Sequence, residues 1–193
     1  MSEERYDILK LLGKGRTGGV YEAEDSRLGR KVAMRRFFSQ NDYIKVSDYE
    51  DEFKEVAQSL SSLQHPNLLR VFDAGVDEDG AFIISQLLKG DTLHNRLKEG
   101  ALSSWDVWDL GHQMLDALST SHAGGFVHGA ITPGSILMSP RARGGYLYVI
   151  LDMGLSHLAP LIQGRDSILS MMADPAILAP ELFDGSDATE KSD

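Results

Sequence analysis

Two stretches of this chain have residue types and spacings that could act on phosphate. In "GKGRTGGV", Gly13, Gly15, Gly18 and Val20 fit the pattern G-x-G-x-x-G-x-V. Glycines so placed let the backbone approach a ligand closely and offer its N–H groups to phosphate oxygens. The second stretch, "FVHGAITPGSIL" at 126–137, has the rhythm of a catalytic loop. Where such a loop carries charge, however, it offers glycine, alanine, threonine and serine.

The elements around these stretches decide what they can be. "YDILKLLG", "GGVYEAED" and "KVAMRRFF" are β-leaning runs divided by glycine-rich and polar punctuation, as in an antiparallel meander. Strands flank the glycine stretch on both sides. That position favours a hairpin lying over phosphates rather than a strand-to-helix dinucleotide turn, while a plain flexible hairpin also fits the glycines. In "SDYEDEFKEVAQSLSSL", Phe53, Val56, Ala57, Leu60 and Leu63 recur at helical spacing, with Ser47 or Asp48 as cap. Two further strand-like runs, "LLRVFDAG" and "AFIISQLL", turn at "DEDG". Beyond "KGDTL" the pattern becomes helical. Ser103 and Asp106 look like a capping box, and Val107, Leu110, Met114, Leu115 and Leu118 form an apolar stripe reaching about His122. Trp105 and Trp108 are expected to pack on this helical part, and His65 with Pro66 to form a turn. "SILMS" and "YLYVILD" read as short strands before a loop rich in Ser, Gly and Pro.

Composition narrows the function. The 193 residues are 42% apolar, enough to bury a core. Acidic residues outnumber basic ones 29 to 19, giving a net charge of -10 and arguing against nucleic-acid backbones as partners. Cysteine is absent, so thiolate metal sites and disulfides are not available. No apolar run is long enough to span a bilayer and the N-terminus has no signal pattern. These features imply a cytoplasmic setting and no membrane contact from this segment.

"VAMR", "HPNLL", "VHGAITPGSIL", "LDMGL" and "LAPEL" follow the glycine stretch in order, and together they resemble the protein-kinase signature set, particularly that of bacterial eukaryotic-like Ser/Thr kinases. The resemblance covers essentially the whole chain. It implies an α+β, two-lobed protein-kinase-like fold: residues 1–88 form an N-lobe with a five-stranded antiparallel sheet and one helix. Residues 89–193 form a partial, mainly helical C-lobe that ends at the start of its central helix. It further implies a nucleotide pocket made by Gly13, Gly15, Gly18, Val20, Ala33, Arg35, Leu137 and the hinge residues Gln86 to Leu88. Asp152 of "DMG" would hold Mg²⁺ beside ATP, although neither is required by the function expected below. Asp193 matches the aspartate that braces the catalytic loop's backbone.

Several positions depart from the family where chemistry should be. Arg35 replaces the phosphate-gripping lysine, and its bulkier fork is not equivalent to an ammonium. Val56 replaces the glutamate that pairs with that lysine. In the loop, Gly129 and Ala130 stand for arginine and the catalytic aspartate, Thr132 for lysine, and Ser135 for the metal-binding asparagine. Loss of a general base alone typically costs about 100- to 10,000-fold, and phosphoryl transfer depends chiefly on the electrostatic groups also missing here. Asp174 stands for a threonine that normally bonds the catalytic aspartate. Ser156, Ser167 and Ser170 are ordinary loop serines or targets of another kinase.

The resemblance therefore implies a pseudokinase: a catalytically inactive scaffold or allosteric regulator, with a nucleotide-responsive switch as one form. The alternative is a weak or atypical ATP-dependent Ser/Thr phosphotransferase using Asp152. Expected partners are proteins, namely a kinase, a regulator, or a second copy through the shortened C-lobe. The stop at Asp193 leaves Glu181 without the arginine it normally meets, which points to a longer parent chain or a face that a partner covers.

Overall fold

The computed structural model describes residues 5–15, 18–37, 49–154, 157–158, 178–183 and 186–193. Asp174, Ser156, Ser167, Ser170 and the proposed cap residues Ser47 and Asp48 lie outside them. The described residues divide into two compact units, one within 5–62, 70–87 and Leu158, the other within 63–69, 88–157 and 178–193.

The first unit is built on β1 (Tyr6–Lys14), β2 (Gly18–Asp25), β3 (Arg30–Phe37), β4 (Val71–Asp77) and β5 (Gly80–Gln86), with α1 (Glu50–Ser62) between β3 and β4. The strands form one antiparallel sheet in the order β1-β2-β3-β5-β4. Side-chain chemistry fixes its turns. Asp25 accepts the N–H groups of Arg27 and Leu28 on one carboxylate oxygen, and Gly29 closes the β2–β3 turn at φ 58°. Arg5 grips the same carboxylate with two nitrogens and reaches Asp73 on β4 at 2.6 Å. Asp77 opens the β4–β5 turn under a two-pronged bond from Arg36, 2.6 and 2.7 Å long. Ala23, Val32, Met34 and Ile84 make the sheet's core. On α1, Phe53, Ala57 and Leu60 are buried, and the Phe53 ring meets Phe37 edge-on at 6.0 Å. Burying Phe53 is worth about 1.5–3 kcal/mol. β1 is an edge strand, and Ile8, Leu9, Leu11 and Leu12 on it are exposed.

The second unit contains β6 (Asp91–Thr92), α2 (Leu93–Leu97), α3 (Ser104–Ala123), β7 (Ile136–Pro140), β8 (Tyr146–Ile150) and α4 (Pro180–Phe183). β6, β7 and β8 form a small antiparallel sheet. Met114, Ala117 and Leu118 of α3 pack with Leu68, Leu93, Ile136, Met138, Tyr148 and Ile150. Residues 63–69, grouped by sequence with 1–88, belong here because Leu68 bridges to Ile150 and Asn67 donates to Gln113 at 2.6 Å and to the Tyr148 carbonyl at 2.7 Å. The tie shortens β4, which starts at Val71 rather than Leu68.

Ser103 caps α3 by accepting the Asp106 N–H. In place of the reciprocal half of a capping box, its hydroxyl donates to the Asp106 carboxylate at 2.6 Å. The expected stripe on α3 is partly corrected: Leu110 is half-buried and Met114 and Leu118 are buried, but Val107 and Leu115 are exposed. Trp105 and Trp108 are exposed as well, because they lie on the helix side opposite Met114, Ala117 and Ser121. No described helix is long and apolar enough to cross a membrane.

Candidate functional site

In the first unit, register brings most of the expected pocket residues onto four neighbouring strands, β1, β2, β3 and β5. Gly13 pairs with Val20, Val20 with Arg35, Ala33 with Ser85, and Val32 with Gln86. Ala33 is buried, Arg35 is half-buried with its guanidinium 5.7 Å from the Phe37 ring centre, and Gln86 is exposed. Val56 is half-buried among the apolar residues of α1, while Glu55 lies on its exposed side. The glycines differ in what holds them. A Cβ on Gly18 would stand 2.0 Å from the Arg36 carbonyl oxygen, so the β2–β3 pairing itself demands glycine there. Among the described residues, a Cβ on Gly13 would meet nothing within 4 Å, and one on Gly15 only the Gly18 oxygen at 3.9 Å. Neither residue has a left-handed φ. The Gly15 N–H donates to the Gly18 carbonyl at 2.8 Å and closes the turn.

In the second unit, the loop from Phe126 to Leu137 is anchored at several points. Ser121 donates to the Phe126 carbonyl at 2.8 Å. His128 is 2% exposed. Its Nε2 lies 3.0 Å from the Leu151 carbonyl, and its Nδ1 accepts the Ala130 N–H at 3.3 Å. That pair of partners selects the neutral tautomer with the proton on Nε2. Asp193 accepts from the backbone N–H of His128 at 2.8 Å and of Gly129 at 2.6 Å, and meets His122 Nε2 at 2.9 Å. Gly129 sits at φ 75°, a conformation that favours glycine. Ala130 brings only a buried methyl group.

Thr132 and Ser135 form a closed pair. Thr132 Oγ1 accepts the N–H groups of Gly134 at 3.1 Å and Ser135 at 3.3 Å. Ser135 Oγ accepts the Thr132 N–H at 2.9 Å and donates to the Thr132 carbonyl at 2.9 Å. They cap the one-turn 3-10 helix Pro133–Ser135, which has proline at its first position. Sequence reading missed this role, although Thr-Pro-Gly-Ser carries the signal: a hydroxyl at each end of the turn and proline just inside it. The Ser135 carbonyl accepts the Leu151 N–H, placing Asp152 next along the chain. Asp152 is half-buried with φ 62°, a left-handed value that aspartate tolerates better than most residues. Leu137 and Leu88 are half-buried.

Asp152 is the residue that would hold Mg²⁺. Magnesium binds through one or two carboxylates plus other oxygens. Here Asp152 is the one carboxylate at the expected positions, and the Ser135 hydroxyl is committed to Thr132. Among the described residues no group of three His, Cys, Asp or Glu side chains could hold a metal. Glu181 on α4 accepts from the Ser192 hydroxyl, which holds its carboxyl below the usual range.

A five-stranded antiparallel unit with one helix, followed by a unit that joins helices to a small sheet and an aspartate-braced loop, defines a protein-kinase-like domain. The sequence matches the family described as protein kinase domain over residues 6–193. The chain belongs to the protein kinase family, in its eukaryotic-like branch. It is 32% identical over 198 residues to the serine/threonine-protein kinase PknA of Mycobacterium tuberculosis, covering 98% of this chain and 44% of that protein. It is 31% identical over 194 residues to PrkC of Bacillus subtilis, covering 98% of this chain and 28% of that protein. The chain thus spans less than half the length of these relatives. The solved kinase domain of Mycobacterium tuberculosis PknI superposes with a TM-score of 0.74 at 18% identity, over all of this chain and 70% of that one, a likeness of fold.

Proposed function

We propose that this chain is a pseudokinase, a kinase-family domain that works by binding a protein partner as a scaffold or allosteric regulator and transfers no phosphate. The observation that carries this reading is the closed Thr132–Ser135 pair. The two positions where the family places a phosphate-neutralising lysine and a metal-binding asparagine have turned inward to hold a turn. Ala130, with no proton acceptor, supports the same reading, and so does the Ser135 hydroxyl, which is committed to Thr132. A cytoplasmic setting fits a chain with this composition.

The experiment is phosphate incorporation from labelled ATP by purified protein, with and without Mg²⁺. No incorporation above background is expected. Incorporation that persists through purification and disappears in Asp152→Ala would overturn the reading in favour of a weak or atypical Ser/Thr phosphotransferase.

A nucleotide-responsive form is favoured by Gly13 and Gly15, which neither crowding nor φ requires to be glycine. A ligand close to the backbone would supply the reason. ATP at ~100 times its dissociation constant should then add about 2.7 kcal/mol of stability. An unchanged melting midpoint in millimolar ATP, with and without Mg²⁺, would leave a scaffold that ignores nucleotide.

A further inference from the structure

We propose that Phe37 is a positioning residue for Arg35: its ring holds the phosphate-binding cation, as the family's helix glutamate holds its lysine, and through Phe53 it ties α1 to an occupied nucleotide pocket. The inference rests on the nucleotide-responsive reading above. β3 presents Arg35 and Phe37 on one face, two residues apart. Arg35 lies opposite Val20 and Val20 opposite Gly13, so the cation shares a cross-strand row with the first glycine of the hairpin. Phe37 lies opposite Gly18, where a Cβ would come within 3.1 Å of the Phe37 Cα. The Arg35 guanidinium carbon stands 5.7 Å from the centre of the Phe37 ring, inside the ~6 Å reach of cation–π attraction. Phe37 is 2% exposed and meets the fully buried Phe53 of α1 edge-on at 6.0 Å. One buried ring thus stands beside the cation, the glycine hairpin and the helix.

Two departures from the family pattern then belong together. Val56 brings no carboxylate to this side of α1, so it cannot hold a cation by charge. A ring face attracts one through its quadrupole, and more strongly where water is excluded. Arginine suits that arrangement better than lysine, because its guanidinium is planar, weakly hydrated and able to take two phosphate oxygens at once. Phosphate on Arg35 fixes the guanidinium, the guanidinium favours the present place of the Phe37 ring, and that ring seats Phe53. Nucleotide should therefore steady α1, and a well-seated α1 should favour nucleotide by the same factor.

The test compares the unaltered chain with Phe37→Leu, which removes the ring, and with Phe37→pentafluorophenylalanine, which keeps its shape and reverses the charge of its face. Affinity is read from the rise in melting midpoint with ATP concentration. Both variants should bind ATP about five- to thirtyfold more weakly. ATP should slow amide exchange along α1 in the unaltered chain and not in either variant. The fluorinated chain should melt close to the unaltered one without ATP, so a ring that merely fills space would leave affinity unchanged. The inference is overturned if the fluorinated chain binds ATP as tightly as the unaltered one, or if ATP binds without slowing exchange in α1. An unaltered chain that ignores ATP overturns the nucleotide reading, and with it the tie to an occupied pocket. The hold of Phe37 on Arg35 is then decided by the melting midpoints of Arg35→Met and Phe37→Leu, alone and together. Losses that do not add uphold it, and losses that add overturn it. If Phe37→Leu does not fold, the fluorinated chain takes its place in both comparisons.

Discussion

Asp193 accepts the backbone N–H of Gly129 at 2.6 Å from a carboxylate with no solvent exposure. The same carboxylate serves His128 and His122, so one side chain satisfies two main-chain donors and an imidazole. Leaving a buried donor unmet costs about 1–3 kcal/mol. Asp193→Ala should therefore lower unfolding free energy by about 3 kcal/mol or more, read from the urea midpoint at constant slope. Asp193→Asn, which keeps one acceptor, should lose less.

Thr132 and Ser135 should behave as a unit. Either one changed to alanine removes a cap worth about 1 kcal/mol. Because each side chain serves the other's backbone, the double variant should cost less than the two single losses added together. A double-mutant cycle that comes out additive would mean the two caps act separately.

The glycine stretch should divide by position. Gly18→Ala forces a Cβ onto the Arg36 carbonyl, and about 1–3 kcal/mol of stability should be lost. Gly13→Ala and Gly15→Ala meet no described atom closer than 3.9 Å and need no left-handed φ, so they should be neutral or gain about 0.4–1 kcal/mol through the unfolded chain. If nucleotide binds, these two stable variants should lose the ATP-induced rise in melting midpoint.

Acid should weaken the first unit through its arginine-held carboxylates. The hydrogen bonds from Arg5 hold the Asp25 carboxyl below its ordinary value against the opposing effect of burial, and those from Arg36 do the same for Asp77. A carboxyl with a depressed folded-state pKa stabilises the fold above its unfolded pKa, near 3.9, and loses that contribution as pH falls through the folded value. The melting midpoint should therefore be nearly flat from about pH 7 to 5 and drop below about pH 4. Asp25→Asn should show a shallower acid-dependent drop.

Much of the fold was legible in local pattern. β2 was bounded at Gly18 and Asp25 because glycines and "SRLG" punctuate it, and Ser103 marked the start of α3 by its hydroxyl. The misreadings have physical causes. α2, Leu93–Leu97, is too short to show a helical period. Leu68 and Leu69 look like strand, but contacts with Ile150 take them out of β4. Trp105 and Trp108 were expected to pack because tryptophan usually does; the helix turns them outward. At the site, residue identities carry the departures from the family pattern at Ala130, Thr132 and Ser135. The new employment of Thr132 and Ser135 was harder to read, because it consists of hydrogen bonds between side chain and backbone inside a four-residue turn.

The exposed aliphatics of β1 bear on how the molecule behaves in a crowded solution. An edge strand with open backbone valences and leucine or isoleucine on both faces is a template for accretion, on which a neighbouring chain can lay a strand of its own. Lys10 and Lys14 interrupt that run at charged positions, and Lys10 is held by Glu22 on the adjoining strand at 3.2 Å. Lys10 and Lys14 thus set charge on an edge where another chain's strand could add, which discourages two such edges from meeting.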